Sequence, residues 1–265
     1  MMYFDYCMNR LVYIEEKASP EFWDKTWVDQ EFYNSVISVS RRSYVCSITK
    51  KYLMRGSKIL EGGCGRGQYV YALDKLGFET YGIDFADETV KRIQSSFPNL
   101  RVTKGDVRSL PYSDNFFDGY WSLGVIEHFY DGYESIISEI KRVLRGGSFL
   151  FITFPHLSRL RRLKAWLSIY PSFSESVDLN NFYQFCLDHR KVINAFEESD
   201  FILRETRYLD GIKGLKDEVS LLKFPLQLLY SSKNVMCKIF RNMLGKLISP
   251  LSSHSVLLVF ELKEK

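Results

Sequence analysis

From about residue 57 onward the sequence predicts an α/β fold built on a parallel sheet. Three observations carry this. Short β-rich runs alternate with helical stretches, a glycine-rich turn closes the first of those runs, and a strong apolar stripe at helical spacing precedes the fifth.

Residues 58–61 form the first strand, and the glycines of 62–67 turn the chain into a helix over 68–76, which Gly77 ends. A second strand spans 79–84, and a second helix spans 87–96, ahead of Pro98. Residues 101–106 and 117–122 are the third and fourth strands. Ile136, Ile137, Ile140, Val143 and Leu144 then recur at i, i+1, i+4, i+7 and i+8, a stripe that faces a core. Gly146-Gly147 stops that helix, and 148–154 is the fifth strand. Asp188 is suited to cap a helix carrying Val192, Ile193 and Phe196, and 201–209 and 255–261 are the last two strands.

Three stretches stand outside the alternation. Residues 1–56 are rich in aromatics (Phe22, Trp23, Trp27, Phe32, Tyr33, Tyr44) and are expected to be mostly helical. Residues 156–187 and 211–253 interrupt later steps. The expected organisation is an N-terminal helical extension over 1–56, then one domain over 57–265 with insertions at 156–187 and 211–253. The extension and the first insertion are expected to form a lid over the carboxyl edge of the sheet.

Composition narrows the class. A 46% hydrophobic and 26% charged chain of 265 residues is ordinary for a globular protein. The longest apolar runs fall far short of the roughly 20 residues of a membrane span. The first residues lack the basic start and apolar stretch of a signal peptide. Cysteines at 7, 46, 64, 186 and 237 are odd in number and irregularly spaced, as expected of reduced thiols in a cytoplasmic protein. The net charge of +4 is too mild to imply nucleic acid, but its distribution is uneven. Arg159, Arg161, Arg162 and Lys164 share 156–173 with no acid; Lys223, Lys233, Lys238, Arg241 and Lys246 share 219–260, again with none. These nine cations outnumber the net charge, so the rest of the chain is net acidic.

The turn Glu61-Gly62-Gly63-Cys64-Gly65-Arg66-Gly67 lets the backbone bend sharply and lets a ligand approach the main chain at a helix N-terminus. A triphosphate loop needs Lys and a hydroxyl after its last glycine; Gln68-Tyr69 stand there instead. A dinucleotide turn, G-x-G-x-x-G/A, ends on Gln68 if begun at Gly63 and on Val70 if begun at Gly65, so it fails too. What remains is an acid followed by G-x-G-x-G, whose carboxylate suits an ammonium rather than a pyrophosphate. Asp84 ends the second strand 21 residues after Gly63, where an acid accepts from the ribose hydroxyls of an adenosine cofactor or caps the helix beyond.

This turn resembles the first motif of class I S-adenosylmethionine-dependent methyltransferases, and further segments extend the resemblance in order. Gly105-Asp106-Val107 ends the third strand; 110–118 (LPYSDNFFD) resembles the family's entry to the fourth strand, 122–128 (SLGVIEH) the segment after it, and 142–147 (RVLRGG) the approach to the fifth. The likeness runs from about 57 to 155, with a weaker echo at 187–210, and is nearest to the branch that includes quinone-biosynthesis and other small-molecule methyltransferases. It implies a Rossmann-like, seven-stranded, mostly parallel sheet with an antiparallel last strand and helices on both faces. It also implies S-adenosyl-L-methionine as cofactor, held by Glu61, Gly63, Cys64, Gly65, Gly67, Asp84, Phe85, Asp106, Val107, Ser122 and Leu123. In that assignment Phe85 packs on the adenine, Asp106 accepts from its amino group, and the Val107 N–H serves a ring nitrogen. Three departures stand out: Glu61 replaces the commoner Asp, Gly62 replaces an apolar residue and is expected to loosen the strand end, and the turn after 144 lacks its proline.

Methyl transfer is an in-line displacement dominated by alignment, and no dedicated base motif is evident. His128 and His156 follow the fourth and fifth strands, where an open sheet places its site. His128 suits loop capping as well as catalysis; His156 suits a solvated loop as well as a substrate contact. The four histidines lack metal-ligand spacing, so no metal is expected. The segment 122–128 also resembles cyclopropane fatty acid synthases, which use the same cofactor on lipids. The Asp/Asn/Ser-Pro-Pro-aromatic segment of DNA amino-methylation is missing after the fourth strand, and so is the Pro-Cys of cytosine carbon-5 methylation; both omissions argue against nucleic acid. The expected acceptor is a small or lipid-linked molecule. Alternatives are a cofactor-binding protein without catalysis and a nicotinamide oxidoreductase. Basic amphipathic stretches at 157–170 and 236–248 are expected either to pack on the core or to meet a membrane surface.

Overall fold

A computed structural model describes residues 1–27, 31–39, 43–174, 177–232 and 234–264. Lys233, one of the clustered cations, lies outside them. In chain order the strands are β1 (Met2–Asp5), β2 (Arg10–Ile14), β3 (Lys58–Gly62), β4 (Glu79–Asp84), β5 (Arg101–Lys104), β6 (Phe117–Leu123), β7 (Leu144–Pro155), β8 (Phe182–Cys186), β9 (Phe201–Leu209) and β10 (Ser255–Leu262). The helices are α1 (Pro20–Trp27), α2 (Phe32–Ile37), α3 (Tyr44–Tyr52), α4 (Gln68–Asp74), α5 (Asp87–Ser96), α6 (Glu134–Val143), α7 (Arg159–Trp166), α8 (His189–Glu197), α9 (Gly211–Glu218), α10 (Lys223–Ser231) and α11 (Val235–Ser252).

Seven strands make one sheet in the order β5-β4-β3-β6-β7-β10-β9. The pairs β3–β4, β4–β5, β3–β6 and β6–β7 are parallel, and β10 runs antiparallel to both β7 and β9. This is the expected mostly parallel sheet. Its strands alternate between two cores with period two. Leu60, Tyr120, Leu150, Leu258 and Phe260 face α6 and its Ile136, Ile137 and Ile140. Ile59, Trp121, Phe151, Leu257 and Val259 face Val45 and Ile48 of α3 and Leu73 of α4. The unbroken apolar run at 256–260 follows from this, because a central strand is buried on both faces.

Three local expectations are corrected. The chain begins with a hairpin, not a helix: β1 pairs with β2 around Asn9, whose φ is +51°. Gly146 and Gly147 lie inside β7, which starts at Leu144 as soon as α6 ends. Gly62 does not loosen its strand. It pairs with Ile83 and Ser122 on either side, and a Cβ there would lie 1.9 Å from the Tyr120 hydroxyl.

The segments outside the alternation are joined to each other. β8, from the first insertion, adds antiparallel to β2 and completes a separate three-stranded sheet, β1-β2-β8. α1 is tied down by Asp24, which accepts from the Thr89 N–H at 2.7 Å and the Thr89 hydroxyl at 2.8 Å at the start of α5.

Candidate cofactor and acceptor site

Gly63, Gly65 and Gly67 have φ of +71°, +51° and +71°, the left-handed region that side chains disfavour. The N–H groups of Gly63 and Cys64 both donate to the Ile83 carbonyl, at 2.8 and 3.0 Å, which fastens the turn to β4. A Cβ on Gly63 would lie 2.6 Å from a methyl group of Val125, so the Val125 side chain from the loop after β6 packs directly on the turn's main chain. The Glu61 side chain points away from this opening. Its Oε2 accepts the Val70 N–H of α4 at 3.1 Å, and burial pushes its pKa up to about 8. The carboxyl meant for an ammonium therefore buttresses the helix behind the turn. Cys64 is likewise buried under the turn, its Sγ 2.9 Å from where a Gly82 Cβ would stand.

Asp84 ends β4 nearly buried, and each carboxylate oxygen receives one main-chain N–H: Gly65 to Oδ2 at 2.8 Å and Ala86 to Oδ1 at 3.0 Å. Burial raises its pKa against the pull of those donors. Asp106 is held differently. Arg108 grips both its oxygens, Nη2 to Oδ2 at 2.6 Å and Nε to Oδ1 at 3.0 Å, and lowers its pKa. The same guanidinium stands 5.2 Å from the Phe129 ring centre.

These strand ends open on a cavity of about 690 Å³, within the range of small-molecule sites. Of the expected cofactor residues, Gly63, Asp84, Phe85, Asp106, Val107 and Leu123 line it; Glu61, Cys64, Gly65, Gly67 and Ser122 do not. Also lining it, Lys17 to Pro20, Leu179 and Phe182 come from the two segments expected over this edge, while Arg108, Phe129, Tyr130 and Asp131 were not singled out by the sequence. Of Trp23, Trp27 and Tyr33, the lid aromatics expected to wall an acceptor cavity, Trp23 and Trp27 line it, stacked at 5.6 Å and 11°, whereas Tyr33 does not and stacks on Phe97 at 5.0 Å. The lining fits an adenosine cofactor on three counts. Gly63 of the turn borders it without a side chain, a strand-end carboxylate held by main-chain N–H groups borders it, and the aromatic Phe85 stands beside that carboxylate.

His128 faces the cavity, edge-on to Trp23 at 5.1 Å. Its Nδ1 lies 2.7 Å from the Tyr183 carbonyl, which can only accept, so Nδ1 carries the proton and Nε2 the lone pair. Burial lowers its pKa to about 4. His156 is not part of the cavity. It is buried between Ser253, 2.7 Å from its Nε2, and His189, 3.3 Å from its Nδ1, and burial lowers its pKa to about 2. The strand before it is paired to β10, so His156 ends in a protein-filled seam rather than at an open edge.

Comparison with known proteins places the class. Residues 60–152 match the family model described as a methyltransferase domain. A probable S-adenosylmethionine-dependent methyltransferase of Mycolicibacterium smegmatis is 30% identical over 101 residues, 38% of this chain and 39% of that protein. A demethylmenaquinone methyltransferase of Staphylococcus aureus is 34% identical over 99 residues, 35% of this chain and 41% of that protein. The chain thus spans about two-fifths of the length of these curated relatives. Among solved structures, a Pyrococcus horikoshii protein superposes with a TM-score of 0.55 at 18% identity, covering 92% of this chain and 99% of its own. Residues 60–152 therefore match a methyltransferase domain and are similar to relatives that include a probable S-adenosylmethionine-dependent methyltransferase, and the chain shares the fold of the superposed structure.

Proposed function

We propose that this protein transfers a methyl group from S-adenosylmethionine to a small-molecule acceptor, a lipid-linked one included. The observation that carries the reading is one continuous cavity. The glycine turn, Asp84 and Phe85 border one part of it, and a largely aromatic wall with a single histidine continues beyond. The cofactor supplies an activated methyl group; the chain's own residues supply position. Asp84 receives the ribose hydroxyls, Phe85 covers the adenine, and the Asp106–Arg108 pair with the Val107 N–H borders the purine edge. Trp23, Trp27, Phe129 and Phe182 exclude water and hold the acceptor in line, where alignment can be worth up to ~7–11 kcal/mol. His128 offers Nε2 to an acceptor that must lose a proton.

The joined segments 1–56 and 156–187 are proposed to close over the cavity as a lid. A lipid-linked acceptor would bring the protein to a membrane, and 157–170 and 236–248 are where we place that peripheral contact. Titration calorimetry with S-adenosylmethionine, its demethylated product and NAD tests the central reading. Binding of the first two and not the third is expected; binding of NAD alone would overturn it. For the lid, cofactor should slow proteolysis within 1–56, and unchanged cleavage would refute closure.

A further inference from the structure

Helices α7, α10 and α11 turn large apolar side chains to solvent. A helix on a globular protein normally turns its apolar stripe to the core and its charges to water. In α7 the reverse holds. Arg161 is 1% exposed and pairs with Glu218 at 2.8 Å; Lys164 reaches the same carboxylate at 2.7 Å, and Arg162 reaches Asp188 at 2.6 Å. With its cations drawn inward, the α7 segment leaves Leu163, Trp166, Leu167 and Ile169 on the surface, Trp166 at 78% exposure. α11 buries only Ser249 and Ser252. It packs by small groups: Cβ atoms on Gly211 and Gly214 of α9 would lie 2.7 Å from the Gly245 carbonyl oxygen and 1.8 Å from that of Ser252. Its large side chains, Met236, Ile239, Phe240, Met243 and Leu247, stand in solvent. α10 buries nothing and presents Phe224 at 75% exposure and Leu228.

We infer that these three helices form a docking face for an anionic lipid surface. This deepens the proposed membrane contact, adds α10 to it and leaves out Leu157 and Tyr170, the two ends of the 157–170 stretch, which are buried; it does not depend on the transfer chemistry. Charge selects the occupant. Across 219–260 there is no acid, while Lys223, Lys238 and Lys246 are exposed. Apolar side chains fringed by cations suit insertion beneath anionic headgroups. Among the described residues no helix is long and apolar enough to cross a membrane, so the contact is peripheral. α7 leaves from the end of β7 and α11 returns into the start of β10, at the carboxyl edge of the sheet that also opens the cavity.

Cosedimentation of the full chain with phosphatidylcholine vesicles, with and without phosphatidylserine, tests this. Binding to the anionic vesicles at low salt, falling as salt rises, is expected. Lys238→Gln with Lys246→Gln should weaken it on the order of tenfold. Phe240→Glu with Met243→Glu should remove it, and both pairs sit on exposed positions whose loss leaves the fold intact by circular dichroism. Absence of binding by the unaltered protein, or unchanged binding by the glutamate pair, would overturn the inference. So would a dimer in sedimentation velocity that the glutamate pair dissolves, which would assign the face to a second copy. Calorimetric binding of S-adenosylmethionine, unaffected in every variant, separates this outcome from failure of the methyltransferase reading.

Discussion

The main-chain N–H of Gly65 donates to Asp84 Oδ2 at 2.8 Å, and this bond ties the tip of the glycine turn to the end of β4. The residue placed to receive the ribose is thus also the residue that shapes the turn. Its second oxygen does the same for Ala86 at the entry to α5. Asp84 thus holds the turn and the residue before α5 through main-chain N–H groups, and its remaining lone pairs are the ones the proposed function assigns to the ribose.

Asp84→Ala should therefore weaken S-adenosylmethionine binding by about 2–3 kcal/mol, through lost charge-assisted bonds and a loosened turn. Asp84→Asn keeps an acceptor for Gly65 and should lose less. Calorimetry on both variants reads the difference; equal affinity for all three proteins would remove Asp84 from the site. Gly65→Val should abolish binding, because its φ is +51° and a Cβ would already stand 3.2 Å from Trp27.

Gly62 and Tyr120 make a second coupled pair. A methyl group at 62 collides with the phenol oxygen, and that hydroxyl is buried without a hydrogen-bond partner. Gly62→Ala should destabilise the protein by about 1–3 kcal/mol, as overpacking does. Adding Tyr120→Phe removes the nearest colliding atom and should recover part of the loss in urea titrations. A double variant no more stable than Gly62→Ala would show that the strain lies elsewhere.

The parallel sheet was legible because short β-rich runs alternate with helical stretches, one of them carrying an apolar stripe at period 3.6, and both signals lie within short windows. The 201–209 strand and the Asp188 cap, which accepts from the Arg190 N–H, fall where sequence placed them. Partners distant in the chain were not legible. Nothing near residue 161 announces that its charge will be buried against Glu218, so Arg161 reads as solvated. Arg108 could have been found, since it stands two residues from Asp106 and can fork onto it. The opening hairpin also left a signal, β-rich runs at 2–5 and 10–14 flanking a turn at Asn9, which the aromatic content of the segment masked.

His128 has a pH signature. Burial holds its pKa near 4, below the ordinary 6.5, so it stays neutral through the physiological range. If it accepts a proton from the acceptor, the acid limb of kcat/KM should fall near pH 4 rather than near 6.5. His128→Ala should lower kcat by roughly 10²–10⁴-fold with cofactor affinity unchanged. Full activity in that variant would leave His128 a wall residue. The unfolded chain takes up this proton first, so the group's contribution to stability is present above pH 6.5 and is lost as pH falls toward 4.

Glu218 should be the most costly of these positions to truncate. Its carboxylate collects Arg161 Nε at 2.8 Å, Lys164 Nζ at 2.7 Å and the Tyr170 hydroxyl at 2.5 Å, and so fastens α9 to α7. Arg161 in turn donates to the carbonyls of His156 and His254, joining both helices to the seam between β7 and β10. Glu218→Ala leaves a buried guanidinium uncompensated and should cost about 3–5 kcal/mol. Replacing the pair together, Arg161→Met with Glu218→Leu, should cost less than Glu218→Ala alone, because the fully buried guanidinium is then not stranded and only the part-exposed Lys164 loses its carboxylate. Burial alone would raise the Glu218 pKa, but the neighbouring cations and hydrogen bonds outweigh it and the net shift is downward. The stabilisation is thus complete above the unfolded carboxylate value and lost as pH falls through the lower folded one. Urea titrations at neutral and acid pH should show the gap between the unaltered protein and Glu218→Ala narrowing in acid; a gap independent of pH would mean the loss comes from packing and not from charge.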